Sequence, residues 1–217
     1  MILILASASP RRREILEEHG QSPVVIPSNI EESLPEGRVF SPEETAMYLA
    51  EQKAEAVAEE LKRGVFGAAL RAAAGRAAES AEGAGNFLVL AVDTIVYKDR
   101  IIGKPRDEED ALNILRSLKN AAHDVISGVC LIELAQNLGP CRPRFKMCGK
   151  QVFFDSTTVT FGDYTDGEIL AYIRANPPYD KSGSYAIQSN WGSHVISADG
   201  SIFNVIGLPW ERIEPFL

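Results

Sequence analysis

The 217 residues carry 22 Lys and Arg against 30 Asp and Glu, a formal net charge of −8. A protein whose main task is to coat the phosphate backbone of DNA or RNA would be basic, so that class is set aside; a small anionic ligand is not, because a local cluster of Arg and Lys binds phosphate on an acidic protein. The hydrophobic fraction of 45% and charged fraction of 24% belong to a globular chain long enough for one buried core or two small lobes.

In chain order, Ile2 to Leu5 reads as a buried strand. The opening MILILASAS is too short for a membrane span and has no basic residues ahead of it, as a signal peptide would. A helix is predicted from Pro10 to His19, with Ser9 as N-cap, proline at the first position and Gly20 as its stop. SPVVIPS gives a second short strand. Ser41-Pro42-Glu43-Glu44 forms a capping box that opens a helix through TAMYLAEQKAEAVAEELK. The Ala/Gly-rich stretch 64–86 reads as an expansion, a peripheral helix with a flexible end. FLVLAV, residues 87–92, is a central strand, followed by a shorter strand and a turn. Asp107 caps a helix through EEDALNILRSLK. Two β segments, HDVISGVCLIELA and QVFFDSTTVTF, flank a second expansion at 136–150 that reads as a hairpin tip or loop. Thr165 to Glu168 is another capping box, and the tail gives a strand, a turn at Asp199-Gly200 and a terminal helix. Strands and helices alternate early and β segments cluster later, which predicts an α/β fold with a mixed sheet.

Several stretches carry chemistry. Arg11, Arg12 and Arg13 place three cations in the first turn of a helix, at the positive end of its dipole, where they are unfavourable. An anion there satisfies the free N–H groups, the dipole and the guanidinium forks together, so the cluster points to phosphate. In LAVDTIV a polar pair, Asp93-Thr94, interrupts an apolar run and is read as a strand end or bulge presenting a carboxylate. An aspartyl-phosphate nucleophile would need a second aspartate two residues on, where Ile95 stands. A metal ligand or a general base for water suits Asp93 better. GKPRD fixes Lys104 in a turn, and nothing matches the P-loop pattern. In PYDKSGSYAIQ, Lys181 offers a point charge to phosphate, and the Gln188 amide offers a donor and an acceptor to the edge of a base. Glu31 and Glu32 precede a loop. His19 suits a helix C-terminus, while His123 and His194 lack zinc spacing. Cys130, Cys141 and Cys148 also lack metal-ligand spacing and read as reduced thiols of a cytoplasmic protein. The residues alone reach a protein that binds a phosphorylated small molecule.

Taken in order, LASASPRR, IEE, AEQKA, AVDTIV, GKP, HDVISGV, DKSGSYAIQ and GSIFNVIGLP resemble the Maf-like nucleotide pyrophosphatases over nearly the whole chain, 1–217. The resemblance implies a mixed twisted sheet with flanking helices, in two lobes around a central cleft. It implies hydrolysis of a nucleoside triphosphate to the monophosphate and pyrophosphate with a divalent cation, Mg²⁺ or Mn²⁺. By the same resemblance Asp93 is the proton acceptor. Asp93 and Glu32 are the metal ligands, and Glu32 and Lys104 complete the catalytic set. Ser9, Arg11, Arg12, Lys53 and Lys181 hold the substrate, and Arg11, Thr94 and Gln188 stand at the positions associated with base choice. The branch is similar to the one acting on dTTP and UTP, with modified pyrimidine nucleotides as further candidates. The expected partner is the triphosphate itself, with no nucleic acid or membrane and with a homodimer as a candidate assembly. Two other readings stay open on the residues: a non-enzymatic nucleotide-binding regulator of cell division, and another phosphohydrolase using the same phosphate clamp.

Overall fold

A computed structural model describes residues 1–63, 86–138 and 143–217. Its strands are β1 (Ile2–Leu5), β2 (Val24–Val25), β3 (Asn86–Lys98), β4 (Arg100–Ile102), β5 (Ala122–Leu138), β6 (Pro143–Phe161) and β7 (Val195–Asp199). Its helices are α1 (Pro10–Glu18), α2 (Pro42–Arg63), α3 (Glu108–Leu118), α4 (Asp166–Ala175), α5 (Ile202–Ile206) and α6 (Trp210–Ile213). The seven strands form one mixed sheet in the order β2-β1-β3-β5-β6-β7, with β4 on β3. β1 runs parallel to β2 and β3, whereas β4 and β7 pair antiparallel. The fold is therefore the α/β mixed sheet with flanking helices that the pattern predicts.

The chain divides into two compact units, Met1–Asp93 with Gly128–Phe154 and Phe216–Leu217, and Thr94–Ser127 with Asp155–Pro215. The core of the first unit gathers Ile4, Val57, Leu61, Phe87, Val89 and Ile132. α2 contributes Ala50, Ala54, Val57, Ala58 and Leu61 to it, an apolar stripe at helical spacing. The stripe lies so close to β5 that a Cβ on Gly128 would stand 2.1 Å from the Ala46 carbonyl carbon. Only glycine fits there. The core of the second unit is aromatic, with Phe161, Tyr164, Tyr172, Tyr185 and Trp191 packed around α3 and α4.

Three caps follow the local sequence. Ser41 Oγ accepts from the Glu44 amide at 3.1 Å while Glu44 Oε2 accepts from the Ser41 amide at 2.9 Å. Asp107 caps α3 by accepting from the Asp110 amide at 2.8 Å. Thr165 and Glu168 make the second reciprocal box.

Other expectations are corrected. The strand at 87–92 does not stop before the polar pair. β3 continues unbroken through Asp93 and Thr94 to Lys98, because a strand inside a sheet tolerates a polar residue whose side chain finds a partner. Of the two readings of 136–150, hairpin tip or loop, the hairpin holds where the residues are described: β5 extends to Leu138 and its neighbour β6 opens at Pro143. Residues 139–142 of that segment, with Cys141, lie outside the described residues, as does 64–85 of the Ala/Gly-rich expansion; Asn86 already belongs to β3. The terminal helix is two short ones, α5 and α6, split at Gly207 with φ 121°. Among the described residues no helix is long and apolar enough to cross a membrane.

Candidate active site

In the first unit, β3 carries Phe87, Val89 and Ala91 into the core, and strand alternation puts Asp93 on that same face. Lys53 sits on α2 between Ala50 and Ala54, where the helical period calls for an apolar residue. Both side chains are almost wholly enclosed, and the Lys53 ammonium donates to Asp93 Oδ1. Its second partner is Glu32 Oε1 at 2.8 Å, on a more exposed side chain reached from the loop after β2. An ammonium has three donors, and two go to carboxylates. A buried lysine so placed gathers two acids at one point and keeps one N–H for an incoming oxygen.

The N-terminus of α1 lies in the same unit. No acidic residue occupies its first turn, and Ser9, although at the N-cap position with extended backbone, makes no side-chain capping bond. The expected Ser9 cap is thus not formed. Instead the Ser9 amide donates to Ser7 Oγ at 3.2 Å, and Arg12 Nη1 donates to the same oxygen at 3.0 Å. Ser7, buried at the end of β1, is the residue that sequence reading passed over. The two serines of S-x-S-P, standing two apart, were its only signal. Desolvation pulls the half-buried Arg12 guanidinium below its ordinary pKa, and the nearby Arg11 charge adds to this; Asp93 and Glu32 oppose it. Arg12 therefore shares one electrostatic neighbourhood with both acids and with Arg11. This cation-rich helix start gains from an anion, as the sequence suggested.

The second unit holds the other candidates. Thr94 follows Asp93 on β3, half-buried, its hydroxyl 2.9 Å from Ser127 Oγ and its carbonyl accepting from Ser182 Oγ at 3.3 Å. Ser182 belongs to the D-K-S-G-S turn with Lys181, which pairs with Asp180. Gly183 there has φ 75°, and a Cβ on it would meet Val96 Cγ2 at 2.8 Å. Its amide donates to the Gly103 carbonyl at 3.3 Å, which ties the turn of Lys181 to the turn of Lys104. Lys104 is exposed, and so is Gln188. The hydrogen-bonding groups of Gln188 are thus open to solvent, and only a ligand that covers them makes a mismatch costly.

Asp93 and Glu32 suit a hard cation. Mg²⁺ is held by one or two carboxylates together with substrate phosphates, and two carboxylates that meet one ammonium offer that donor set. Among the described residues no group of three or more His, Cys, Asp or Glu forms a self-sufficient metal site, so phosphate oxygens would have to complete the shell. The cysteines play no part in this. Cys130 is buried in the first core, where burial pushes its thiol up to about 12, and Cys148 is exposed.

A family model described as "Maf-like protein" matches residues 2–217. A protein of Caldicellulosiruptor bescii named dTTP/UTP pyrophosphatase is 37% identical over 99% of this chain and 92% of its own length. Relatives with the same name in Carboxydothermus hydrogenoformans and Bacillus thuringiensis are each 35% identical. The alignments cover 98% and 97% of this chain and 95% and 91% of those proteins.

Proposed function

The chain belongs to the Maf-like protein family, and on that premise we propose that it is a nucleoside triphosphate pyrophosphatase. It hydrolyses the α–β phosphoanhydride of dTTP and UTP to the monophosphate and pyrophosphate. The observation that carries the reading is the Lys53 ammonium held between Asp93 and Glu32, with Arg12 electrostatically coupled to both acids. A site built only to bind phosphate gains nothing from two carboxylates. A site that must also activate water does.

Each part then has a role. Arg11 and Arg12, with the N–H groups that open α1, hold phosphate oxygens; Ser9 presents its hydroxyl beside them. The third N–H of Lys53 reaches a phosphate oxygen, while its bonds to the acids keep both carboxylates aimed at one place. Asp93 takes a proton from the attacking water. Lys104 and Lys181, on turns joined through Gly103 and Gly183, offset charge that grows on the departing pyrophosphate. Asp93 and Glu32 would hold the divalent cation, Mg²⁺ or Mn²⁺, which when bound neutralises the triphosphate and polarises the scissile bond. Thr94 and Gln188 contact the pyrimidine. The names of these relatives support dTTP and UTP as substrates. Cys130 is a buried free thiol and Cys148 an exposed one, in keeping with a cytoplasmic enzyme acting on the free nucleotide pool.

The test is product analysis across normal and modified triphosphates at fixed Mg²⁺. One pyrophosphate per nucleoside monophosphate, fastest with dTTP and UTP, is expected. Release of single phosphates would transfer the site to another class of phosphohydrolase.

A further inference from the structure

One edge of β3 changes neighbours beside Asp93. The pairing of β3 with β1 runs from Ile2↔Phe87 to Leu5↔Leu90, and its pairing with β4 takes up at Val96. The Leu90 carbonyl, on the β1 edge, accepts from the Ala6 amide at 2.8 Å. Carbonyls alternate from edge to edge along a strand, so that of Thr94, four residues on, points to the same edge, past the last β1 partner and before the first β4 partner. A main-chain acceptor at such a place draws its donor from outside the ladder. Ser182 supplies one, its hydroxyl donating to the Thr94 carbonyl at 3.3 Å.

Ser182 belongs to the turn that carries Lys181. The Lys181 amide donates to the Pro178 carbonyl at 2.9 Å, and the Ser184 amide donates back to the Lys181 carbonyl at 3.2 Å. Gly183 and Ser184 are both left-handed, with φ 75° and 64°, and Ser184 is wholly buried. A serine holds that conformation only where its surroundings fix it. Three contacts with other elements do so. Gly183 lies against Val96, its amide donates to the Gly103 carbonyl, and Ser182 binds Thr94. The hydrogen bond from Ser182 is directional and ties the turn to one residue of β3, the residue that follows Asp93. The Lys181 side chain is only 16% exposed, so its ammonium goes where the turn places it.

We propose that Ser182 is a positioning residue: by binding the Thr94 carbonyl it sets the register of the Lys181 turn on β3 and so aims Lys181 at the departing pyrophosphate. The inference rests on the reading of Lys181 as a pyrophosphate contact. An alanine at 182 leaves the Gly183 packing and the bond to Gly103 in place, so the turn keeps its fold while Lys181 loses its register. Charge accumulates on pyrophosphate as the anhydride breaks. The loss therefore falls on the transition state and on the pyrophosphate product, and spares the nucleoside monophosphate.

The experiment measures dTTP turnover at fixed free Mg²⁺, with pyrophosphate and dTMP each titrated as a product inhibitor. It uses the unmutated protein, Ser182→Ala, Lys181→Ala and the double variant, with melting temperatures alongside. Ser182→Ala should lower kcat roughly three- to tenfold and raise the inhibition constant of pyrophosphate by a similar factor, the scale of one hydrogen bond, with that of dTMP unchanged. In the Lys181→Ala background the same change should add less than about twofold, because the group it aims is gone. A folded Ser182→Ala protein with unchanged kcat and pyrophosphate inhibition overturns the inference. So does a loss shared equally by pyrophosphate and dTMP, or one as large without Lys181, since either makes Ser182 a brace of the fold alone. Should the alanine variant fail to fold, Ser182→Cys fills the same place with a weaker donor. It should shift kcat and pyrophosphate inhibition in the same directions by less, and unchanged values there overturn the inference likewise. An unmutated protein that releases no pyrophosphate from dTTP overturns the function itself, and the inference with it.

Discussion

Asp93→Asn separates the structural job assigned to this carboxylate, counter-ion to Lys53, from its catalytic ones, base for water and ligand to the divalent cation. The side chains of Lys53 and Asp93 are 11% and 10% exposed, whereas that of Glu32 is 45% exposed. Stripping a buried charge of its partner costs about 3–5 kcal/mol. Here Glu32 stays on the ammonium and asparagine still supplies an oxygen, so roughly 1–2 kcal/mol is expected. For a domain of this size that is a fall in melting temperature of about 2–8 °C. The effect on turnover should be larger. General-base catalysis contributes typically 10²–10⁴-fold, so kcat should fall on the order of 10²-fold or more, about 2.7 kcal/mol of barrier. Affinity for the triphosphate without the divalent cation should hold or rise, because the variant removes a negative charge from beside the phosphates. The assay is pyrophosphate release at saturating dTTP and fixed Mg²⁺, with nucleotide affinity and melting measured on the same protein. A variant that melts lower as forecast but keeps kcat within about threefold would make Asp93 only the counter-ion of Lys53, and the assignment of the base would fail.

Arg12→Ala removes a guanidinium from the dipole's positive end and its bond to Ser7; affinity for a non-hydrolysable triphosphate should drop roughly ten- to a hundredfold, with the apo protein melting within a few degrees of the original. Normal affinity with much lower melting would make the arginine structural. Gly128→Ala drives a methyl group into the Ala46 backbone at 2.1 Å, and should cost about 3 kcal/mol or more in urea unfolding, beyond any gain from lost glycine entropy; a cost below about 1 kcal/mol would contradict the packing described. His123 is buried with Nε2 2.8 Å from the Tyr185 hydroxyl, and burial pulls its pKa down to about 4. Because the folded value is the depressed one, its contribution is complete above about pH 6.5 and is lost as pH falls toward 4, up to about 3 kcal/mol. Unfolding compared at pH 7.5 and 4.5 should therefore show less acid sensitivity in His123→Gln, and an equal slope in the two proteins would refute this.

What the sequence disclosed and what it hid divide by the range of the interaction. The boxes at Ser41/Glu44 and Thr165/Glu168, the Asp107 cap and the strand at Ile2–Leu5 were legible because their partners lie within four residues or within one apolar run. The arginines at α1 were legible as an electrostatic anomaly. Asp93-Thr94 was misread as a strand end because a polar pair inside an apolar run looks like a break. Its continuity depends on Lys53, forty residues earlier in the chain, and on Ser127, thirty-three later. Lys53 itself left a trace, a cation inside an apolar stripe, but only the family resemblance gave it a role. Ser127 and Asn204 left none, since buried serines and asparagines take their meaning from partners that folding brings together. Ser9, directly before Pro10, drew the sequence reading, whereas the backbone geometry gives Arg12 and the Ser9 amide to Ser7.

The most direct test of the central claim is the stoichiometry of products from dTTP with Mg²⁺, followed by phosphorus NMR. The account predicts dTMP and pyrophosphate in equal amounts, with no dTDP at any time, and the same outcome from UTP. Accumulation of dTDP with inorganic phosphate, or intact dTTP under conditions where the folded protein binds it, would contradict it.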